Sequence, residues 1–202
     1  MMMSDPTVSA ENLKDWIARG AQGDEDACAR LYREFSPAVL RLSFGLLNDL
    51  RDAEEVMQDA FVYALRNLKR FDPEKSAFRT WLFTIAISRC RNKRRRKWLA
   101  TLPLSLLNAE PAPGSPREVE ALLARRGVRR QIWEVLQELS PRLREALVLR
   151  YLGDLKYGEI GQALGCNAKT AESRVRLGLV ALRGTLKRLG VEAEAELAEL
   201  SV

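Results

Sequence analysis

The amino-acid sequence predicts an all-α protein of two small helical domains joined by a proline-rich linker, with a helix-turn-helix in the second domain. Apolar residues recur at helical spacing through most of the chain, and no stretch alternates convincingly with period two. Prolines cluster near the middle of the chain, where the helical pattern is lost. A chain of 202 residues is long enough for one core or two small ones.

The first domain is predicted over residues 10–98, where three helical stripes follow one another. The stripe over residues 52–68 is the most regular of the three. Pro37 and Gly45 are predicted to interrupt the helical pattern before it. Pro73 predicts a turn before the third stripe, because proline fixes φ and disfavours helix at the preceding residue.

The predicted linker covers residues 99–117 and holds four of the eight prolines of the chain. A proline-rich composition resists helix formation and favours an extended, partly stiff tether. An ordered loop folded onto one domain is the alternative interpretation.

The second domain is predicted over residues 118–190 and is followed by an acidic tail, 191–202. Ser140 and Pro141 predict a helix start, since serine is a favoured N-cap and proline suits the first helical position.

The helix-turn-helix is predicted from the residues that follow. Residues 157–164 read as a short helix, Gly165 begins a tight turn, and Asn167 is an N-cap for a longer helix that ends near Gly190. The small Gly161 is expected where the two helices cross closely.

The composition excludes several classes of site. The chain has no histidine, which removes Ser-His and Cys-His catalysis and histidine-bearing zinc sites. Cys28, Cys90 and Cys166 are scattered, as expected of a protein in a reducing compartment. The sequence shows no signal-peptide pattern and no long apolar run. We therefore expect a cytoplasmic protein that is not an enzyme, with no stable membrane insertion, cofactor or metal.

The net charge of +6 is unevenly distributed. Residues 71–98 contain nine basic and two acidic residues, and residues 131–190 contain ten basic and six acidic ones. Residues 1–70 and the last twelve residues are both net acidic. This division indicates two contacts with a polyanion and a separate acidic surface for another partner.

A basic run, residues 89–97, holds seven basic residues in nine positions. Such a run would neutralise several phosphates and make binding salt-dependent. A localisation tag or an RNA-binding tail is the alternative. Trp81 lies nearby, but its spacing is more typical of a core residue than of a base-stacking one.

The last helix combines an apolar stripe with a polar face that suits the major groove of DNA. Ser173 lies almost opposite the stripe, and four further polar residues flank it. These are Lys169, Thr170, Arg174 and Arg176. Arginine and lysine can reach guanine edges or phosphates, and serine or threonine can bond to either. A solvated amphipathic helix is the alternative.

An acidic face, formed by Glu55, Gln58 and Asp59, lies on one side of the helix predicted over residues 52–68. This face could be turned to solvent or could dock a basic helix of a partner. It cannot bind DNA, because its charge has the wrong sign.

Five segments, in collinear order over about residues 10–190, resemble the extracytoplasmic-function (ECF) sigma factors. Residues 18–31 are similar to the opening helix of that family. Residues 52–61, DAEEVMQDAF, resemble its DAExxxQExF segment, and residues 70–86 resemble its F…FxxWLxxIA block. Residues 139–151 and 157–174 resemble its helix-turn-helix domain.

The resemblance implies a protein with core RNA polymerase and promoter DNA as partners, and an anti-sigma factor as a further one. The acidic face would bind the polymerase clamp. The helix that carries the basic run would melt and capture the minus-ten element through Ser88, Arg89, Arg91, Asn92, Arg94 and Arg95. The last helix would read the minus-thirty-five element through Lys169, Thr170, Ser173, Arg174 and Arg176. The linker would thread toward the active centre of polymerase.

The sequence leaves two alternative functions. A helix-turn-helix transcriptional regulator would bind duplex DNA without core polymerase, and a nucleic-acid-processing enzyme would need a site that the sequence does not reveal. The sequence also departs from the family pattern. Ser88 stands where many members carry asparagine, Glu172 stands where a basic residue is frequent, and Lys156 replaces a common serine N-cap.

Overall fold

The computed structural model describes residues 9–101 and 130–189, and over these residues the protein is entirely helical, as predicted. In chain order the helices are α1 (Ala10–Ala21), α2 (Glu25–Leu47), α3 (Leu50–Arg66), α4 (Phe78–Thr101), α5 (Arg130–Glu138), α6 (Pro141–Tyr151), α7 (Tyr157–Leu164) and α8 (Ala168–Arg188), with a 3₁₀ turn at Leu68–Arg70. None of these described helices is long and apolar enough to cross a membrane.

The helix boundaries of the second domain follow the predicted caps. Ser140 is the N-cap of α6, and Pro141 occupies its first turn. Gly165 ends α7 in the left-handed region at φ 67°, where glycine is favoured over other residues. The side chain of Asn167 then accepts a hydrogen bond of 2.7 Å from the Thr170 N–H and so starts α8.

The predicted interruptions at Pro37 and Gly45 are wrong, because α2 is continuous from Glu25 to Leu47. A proline inside a helix costs about 3 kcal/mol or more. α2 offsets that cost by burying large side chains such as Leu31 and Leu42, each of which contributes about 1.5–3 kcal/mol when fully buried. Tertiary packing therefore outweighs the local preference.

The first domain packs α1 to α4 around an aromatic cluster. Phe78 lies edge-on to Phe35 and Phe71, with ring centroids 5.1 and 5.4 Å apart. The Trp81 ring is tilted against the Phe71 ring, with their centroids 5.3 Å apart, and Trp81 is half-buried. The cluster fixes the start of α4 relative to α2, and so sets the position of the basic run.

The second domain packs α6 against α8. A Cβ added at Gly178 would lie 2.8 Å from Cγ of Leu147, so a glycine is needed for this close approach. Ile132, Leu149, Leu182 and Leu186 are fully buried in the same domain.

The two domains are docked on each other and share one hydrophobic core. Phe44 of α2 lies edge-on to Trp133 of α5, at 5.3 Å between ring centroids. A Cβ added at Gly45 would lie 2.6 Å from Leu152 Cδ1, and one at Gly153 would lie 3.1 Å from the Phe83 ring. The sequence predicts the two domains but not this contact.

The predicted domain limits remain predictions. α4 continues to Thr101, three residues past the predicted end of the first domain. Most of the predicted linker and the whole acidic tail lie outside the described residues.

Candidate nucleic-acid interface

The acidic face lies on the exposed side of α3. Asp49 caps this helix by accepting a 2.9 Å hydrogen bond from the Asp52 N–H. Glu55, Gln58 and Asp59 are all exposed, and the side chain of Val62, one turn further on, is 49% exposed. An exposed face that combines acidic and apolar side chains is suited to binding another protein.

A cluster of ion pairs that was not predicted from the sequence ties α3 to α4. Lys93 contacts Asp52 at 3.3 Å and also pairs with Glu55. Lys97 contacts Asp49 at 3.3 Å and also pairs with Asp52. The three-residue spacing of the acids and the four-residue spacing of the lysines place each set on one helix face, which is the signal that could have revealed the cluster.

The folded protein favours the charged forms of Lys93, Lys97 and Asp49 in this cluster. Partial burial disfavours the charged form of Lys93, but its hydrogen bonds to Glu55 and Asp52 outweigh burial and raise its pKa. Burial would likewise raise the pKa of Asp49, but the Asp52 N–H and the Lys97 ammonium lower it overall. Two cations of the basic run are therefore neutralised within the protein.

The remaining residues of the predicted minus-ten surface are spread along α4. Ser88 and Arg95 are exposed, and Asn92 and Arg94 are half-buried. The Arg89 guanidinium lies over the Tyr63 ring, 5.0 Å from its centroid. Within residues 9–101 and 130–189, no ion pair is seen for Arg89, Arg94, Arg95 or Arg96. Among the described residues, no carboxylate therefore balances the charge of these four arginines.

Arg91, also predicted for the minus-ten surface, is engaged in a contact that the sequence did not predict. Its guanidinium donates to Glu145 of α6 through two hydrogen bonds of 2.8 and 2.7 Å. The hydrogen bonding to Glu145 raises the pKa of Arg91. Arg91 is therefore tied to the second domain.

The helix-turn-helix presents the predicted reading residues on one side of α8. Lys169, Arg176 and Glu172 are exposed, whereas Thr170 and Ser173 are half-buried. Arg174 is also half-buried, with Nη1 3.5 Å from Cys166 Sγ in the turn. The opposite side of α8 buries Ala171, Val175, Leu182 and Leu186 in the domain core.

The turn itself depends on one close backbone approach. A Cβ added at Gly161 would lie 2.6 Å from the Cys166 carbonyl oxygen and 3.2 Å from the Asn167 carbonyl carbon. The predicted close crossing at Gly161 is thus confirmed, and it is a contact between α7 and the backbone that leads into α8. Lys156 starts α7 with only half of a capping box, in which Glu159 accepts from the Lys156 N–H at 2.8 Å.

Comparisons with known proteins match both domains. The Sigma-70 region 2 family matches residues 31–100, and the Sigma-70, region 4 family matches residues 129–182. RNA polymerase sigma factor NccH of Alcaligenes xylosoxydans xylosoxydans is 33% identical over 181 residues, covering 86% of this chain and 91% of NccH. ECF RNA polymerase sigma factor SigW of Bacillus subtilis is 29% identical over 187 residues, covering 88% of this chain and 98% of SigW.

Two solved structures share the fold. CnrH, in complex with the cytosolic domain of CnrY, superposes with a TM-score of 0.66 and 24% identity, over 88% of this chain and 98% of CnrH. RpoE of Bartonella quintana, in complex with the anti-sigma factor NepR, superposes with a TM-score of 0.60 and 22% identity, over 79% of this chain and 96% of RpoE.

These matches do not favour a regulator that acts without polymerase. Both sigma-70 regions are present in family order, and the similarity to named sigma factors runs along nearly the whole length of those relatives. The chain therefore belongs to the ECF class of RNA polymerase sigma factors, which direct polymerase in the initiation of transcription.

Proposed function

We propose that this sigma factor binds core polymerase through the acidic face of α3, the minus-ten element through α4 and the minus-thirty-five element through α8. The observation that carries this assignment is the separation of charge among three exposed helix faces. α3 presents Glu55, Gln58 and Asp59, whereas α4 and α8 present arginines and lysines. Acidic and basic faces of this kind attract different partners.

Sigma factors are in general not a family of enzymes, and the proposed role needs no chemistry from the chain. Its action would lie in stabilising DNA contacts that polymerase alone does not make, in the cytoplasm, to which its three free cysteines are suited. Because CnrH and RpoE were solved with CnrY and the anti-sigma factor NepR, we propose an anti-sigma factor as a further partner.

The assignment is tested by reconstitution. The purified chain should elute with core polymerase from a sizing column and should direct run-off transcription from a subset of genomic fragments. A regulator independent of polymerase would instead bind duplex DNA alone and would not comigrate with core polymerase. Failure to comigrate would overturn the proposal.

Charge reversal on the acidic face should weaken polymerase binding. With Asp59→Lys we expect about a five- to tenfold loss of affinity for core polymerase, because a like charge then faces the basic partner surface. Asp59 is preferable to Glu55, since Glu55 also pairs with Lys93. The measurement is a titration of labelled sigma factor with core polymerase.

The matched control is Glu11→Lys, which makes the same charge change at an exposed position of α1. Its affinity should equal that of the parent. Equal affinity for Asp59→Lys and Glu11→Lys would show that the acidic face does not bind polymerase.

Arg176→Ala should reduce promoter use and leave core binding unchanged. A contact to a guanine edge would cost about 1–3 kcal/mol and relax the preference at one base pair, whereas a phosphate contact would lower activity on every sequence alike. Selection from randomised upstream elements distinguishes the two. Arg183→Ala, at another exposed position of α8, is the control. If Arg176→Ala keeps both the activity and the selected motif of the parent, Arg176 does not contact the promoter.

A further inference from the structure

The basic half of α4 is not anchored by buried side chains. In the first half of this helix, Leu82, Phe83 and Ile87 are fully buried. Between residues 91 and 98, by contrast, no residue is buried. Burial of apolar surface therefore fixes the start of α4 but not the part that carries most of the basic run.

Asp52 of α3 holds this basic half through two ion pairs. Its side chain is 10% exposed, with Oδ1 3.3 Å from Lys93 Nζ and Oδ2 in contact with the Lys97 ammonium. One carboxylate thus binds both lysines, one on each oxygen. The other two acids of the cluster, Glu55 and Asp49, add one pair each, but their side chains are 53% and 43% exposed. Because solvent and salt screen exposed pairs more, Asp52 is the main link from α3 to this half of α4.

The two lysines also set which side of α4 faces outward. Ser88, Asn92 and Arg95 are spaced by four and three residues, so they form one outer stripe along the helix. At 3.6 residues per turn, the outer stripe lies roughly 150° around α4 from the side that carries Lys93 and Lys97. Arg95 Nη2 donates to Asn92 Oδ1 at 3.4 Å, and Ser88 and Arg95 are exposed. Holding the lysines on α3 therefore turns the outer stripe away from α3.

We propose that Asp52 is a positioning residue for the minus-ten element, which fixes the rotation of the basic half of α4 so that the outer stripe faces the DNA. Asp52 itself contacts neither DNA nor polymerase, and it acts only through Lys93 and Lys97. The exposed acids of α3 meet a partner, whereas the buried one orients the neighbouring helix. This inference rests on the proposed function, because it takes α4 to be the helix that binds the minus-ten element.

Asp52→Asn should change two properties in opposite directions. Run-off transcription by the holoenzyme should fall about five- to tenfold, the loss expected when one base contact is misplaced. Binding of the full chain, without polymerase, to a labelled duplex that lacks a promoter should instead tighten, and its log–log salt dependence should steepen by about 0.9 for each lysine released to phosphate. A general loss of structure would weaken both properties, and removal of a merely repelling charge would strengthen both.

The matched control is Asp26→Asn, which makes the same chemical change at an exposed carboxylate that pairs with Arg30 at 2.9 Å. It should equal the parent in both assays, and Asp52→Glu, which keeps the charge, should retain most of the transcription. Replacing Lys93 and Lys97 together by glutamine should lower transcription as Asp52→Asn does, without tightening the binding to nonspecific duplex. Adding Asp52→Asn to that double variant should cause no further loss, because residues of one network are not additive. Circular dichroism verifies the helicity of every variant.

Arg95→Ala, in the same transcription assay, separates this inference from the proposed function. Loss of transcription in Arg95→Ala, with parental transcription in Asp52→Asn and in the lysine double variant, would overturn the positioning role of Asp52 alone. So would weaker binding of Asp52→Asn to nonspecific duplex, or a further loss when it is added to the double variant. Parental transcription in Arg95→Ala would overturn the assignment of α4 to the minus-ten element, and this inference with it.

Discussion

Arg144→Ala should lower the free energy of unfolding by about 3–5 kcal/mol, the largest loss that we expect from a single substitution. Arg144 is only 3% exposed and donates to the carbonyl oxygens of Gln137 and Leu139, at the end of α5. It also donates to the Gln137 side chain and, at 3.4 Å, to the Leu46 carbonyl of α2. Alanine would remove the donor from two buried carbonyl oxygens, those of Leu46 and Leu139, and from the part-buried acceptors of Gln137.

The charge of Arg144 persists despite its burial. Burial, with a contribution from nearby Arg94, lowers the pKa of Arg144 to about 10, which still leaves the guanidinium protonated at neutral pH. Arg144→Lys should therefore keep the charge but lose part of the hydrogen bonding, and should fall between the parent and Arg144→Ala in stability.

Urea unfolding followed by circular dichroism measures this effect. Arg142→Ala is the control, because Arg142 lies two residues earlier in α6 and is exposed. Its stability should stay within about 0.5 kcal/mol of the parent. Equal urea midpoints for Arg142→Ala and Arg144→Ala would show that the hydrogen bonds of Arg144 do not stabilise the fold.

Gly161→Ala should abolish most use of the upstream promoter element. The added Cβ would meet the backbone of Cys166 and Asn167, which cannot move aside as a flexible side chain would. Overpacking of this kind costs about 1–3 kcal/mol. The strain is relieved by shifting α8 relative to α7, so we expect more than about a tenfold loss of transcription, because bidentate base contacts tolerate little displacement.

Gly158→Ala, on the same helix, is a closely matched control. A Cβ at Gly158 meets nothing within 4 Å. Alanine has the higher helix propensity, by about 0.5–1 kcal/mol, so this variant should be as stable as the parent or more so. The measurement is run-off transcription with both variants. Equal activity of Gly161→Ala and Gly158→Ala would show that the close contact at Gly161 does not position the reading helix.

Local signals in the sequence were sufficient to predict the helices of the second domain. Ser140, Pro141, Gly165 and Asn167 act on the backbone within a few residues of themselves, so their effect can be read without knowing the fold. The apolar spacing of α8 would continue to Leu189, but that side chain is 57% exposed, because it lies past the last turn of the helix.

Contacts between distant residues could not be predicted in the same way. Arg91 and Glu145 are 54 positions apart, and no periodicity in either helix identifies the other as its partner. Gly45 appeared to be a helix interruption because its local preference is unfavourable, yet it serves a close approach to Leu152 and Val148. The charges that form the candidate surfaces were predictable, but their internal pairing was not.

The pairing of charges along α4 has a consequence for the order of assembly. Of the seven cations in the basic run, Arg91, Lys93 and Lys97 are bound to carboxylates of the protein itself. Nonspecific affinity for DNA grows with each cation that can displace a counterion, and a genome offers about 10⁶–10⁹ competing sites. A free chain is therefore held less strongly by bulk chromosomal DNA than its sequence would suggest. We therefore expect a larger share of free chains to reach polymerase without first having to leave a nonspecific DNA site.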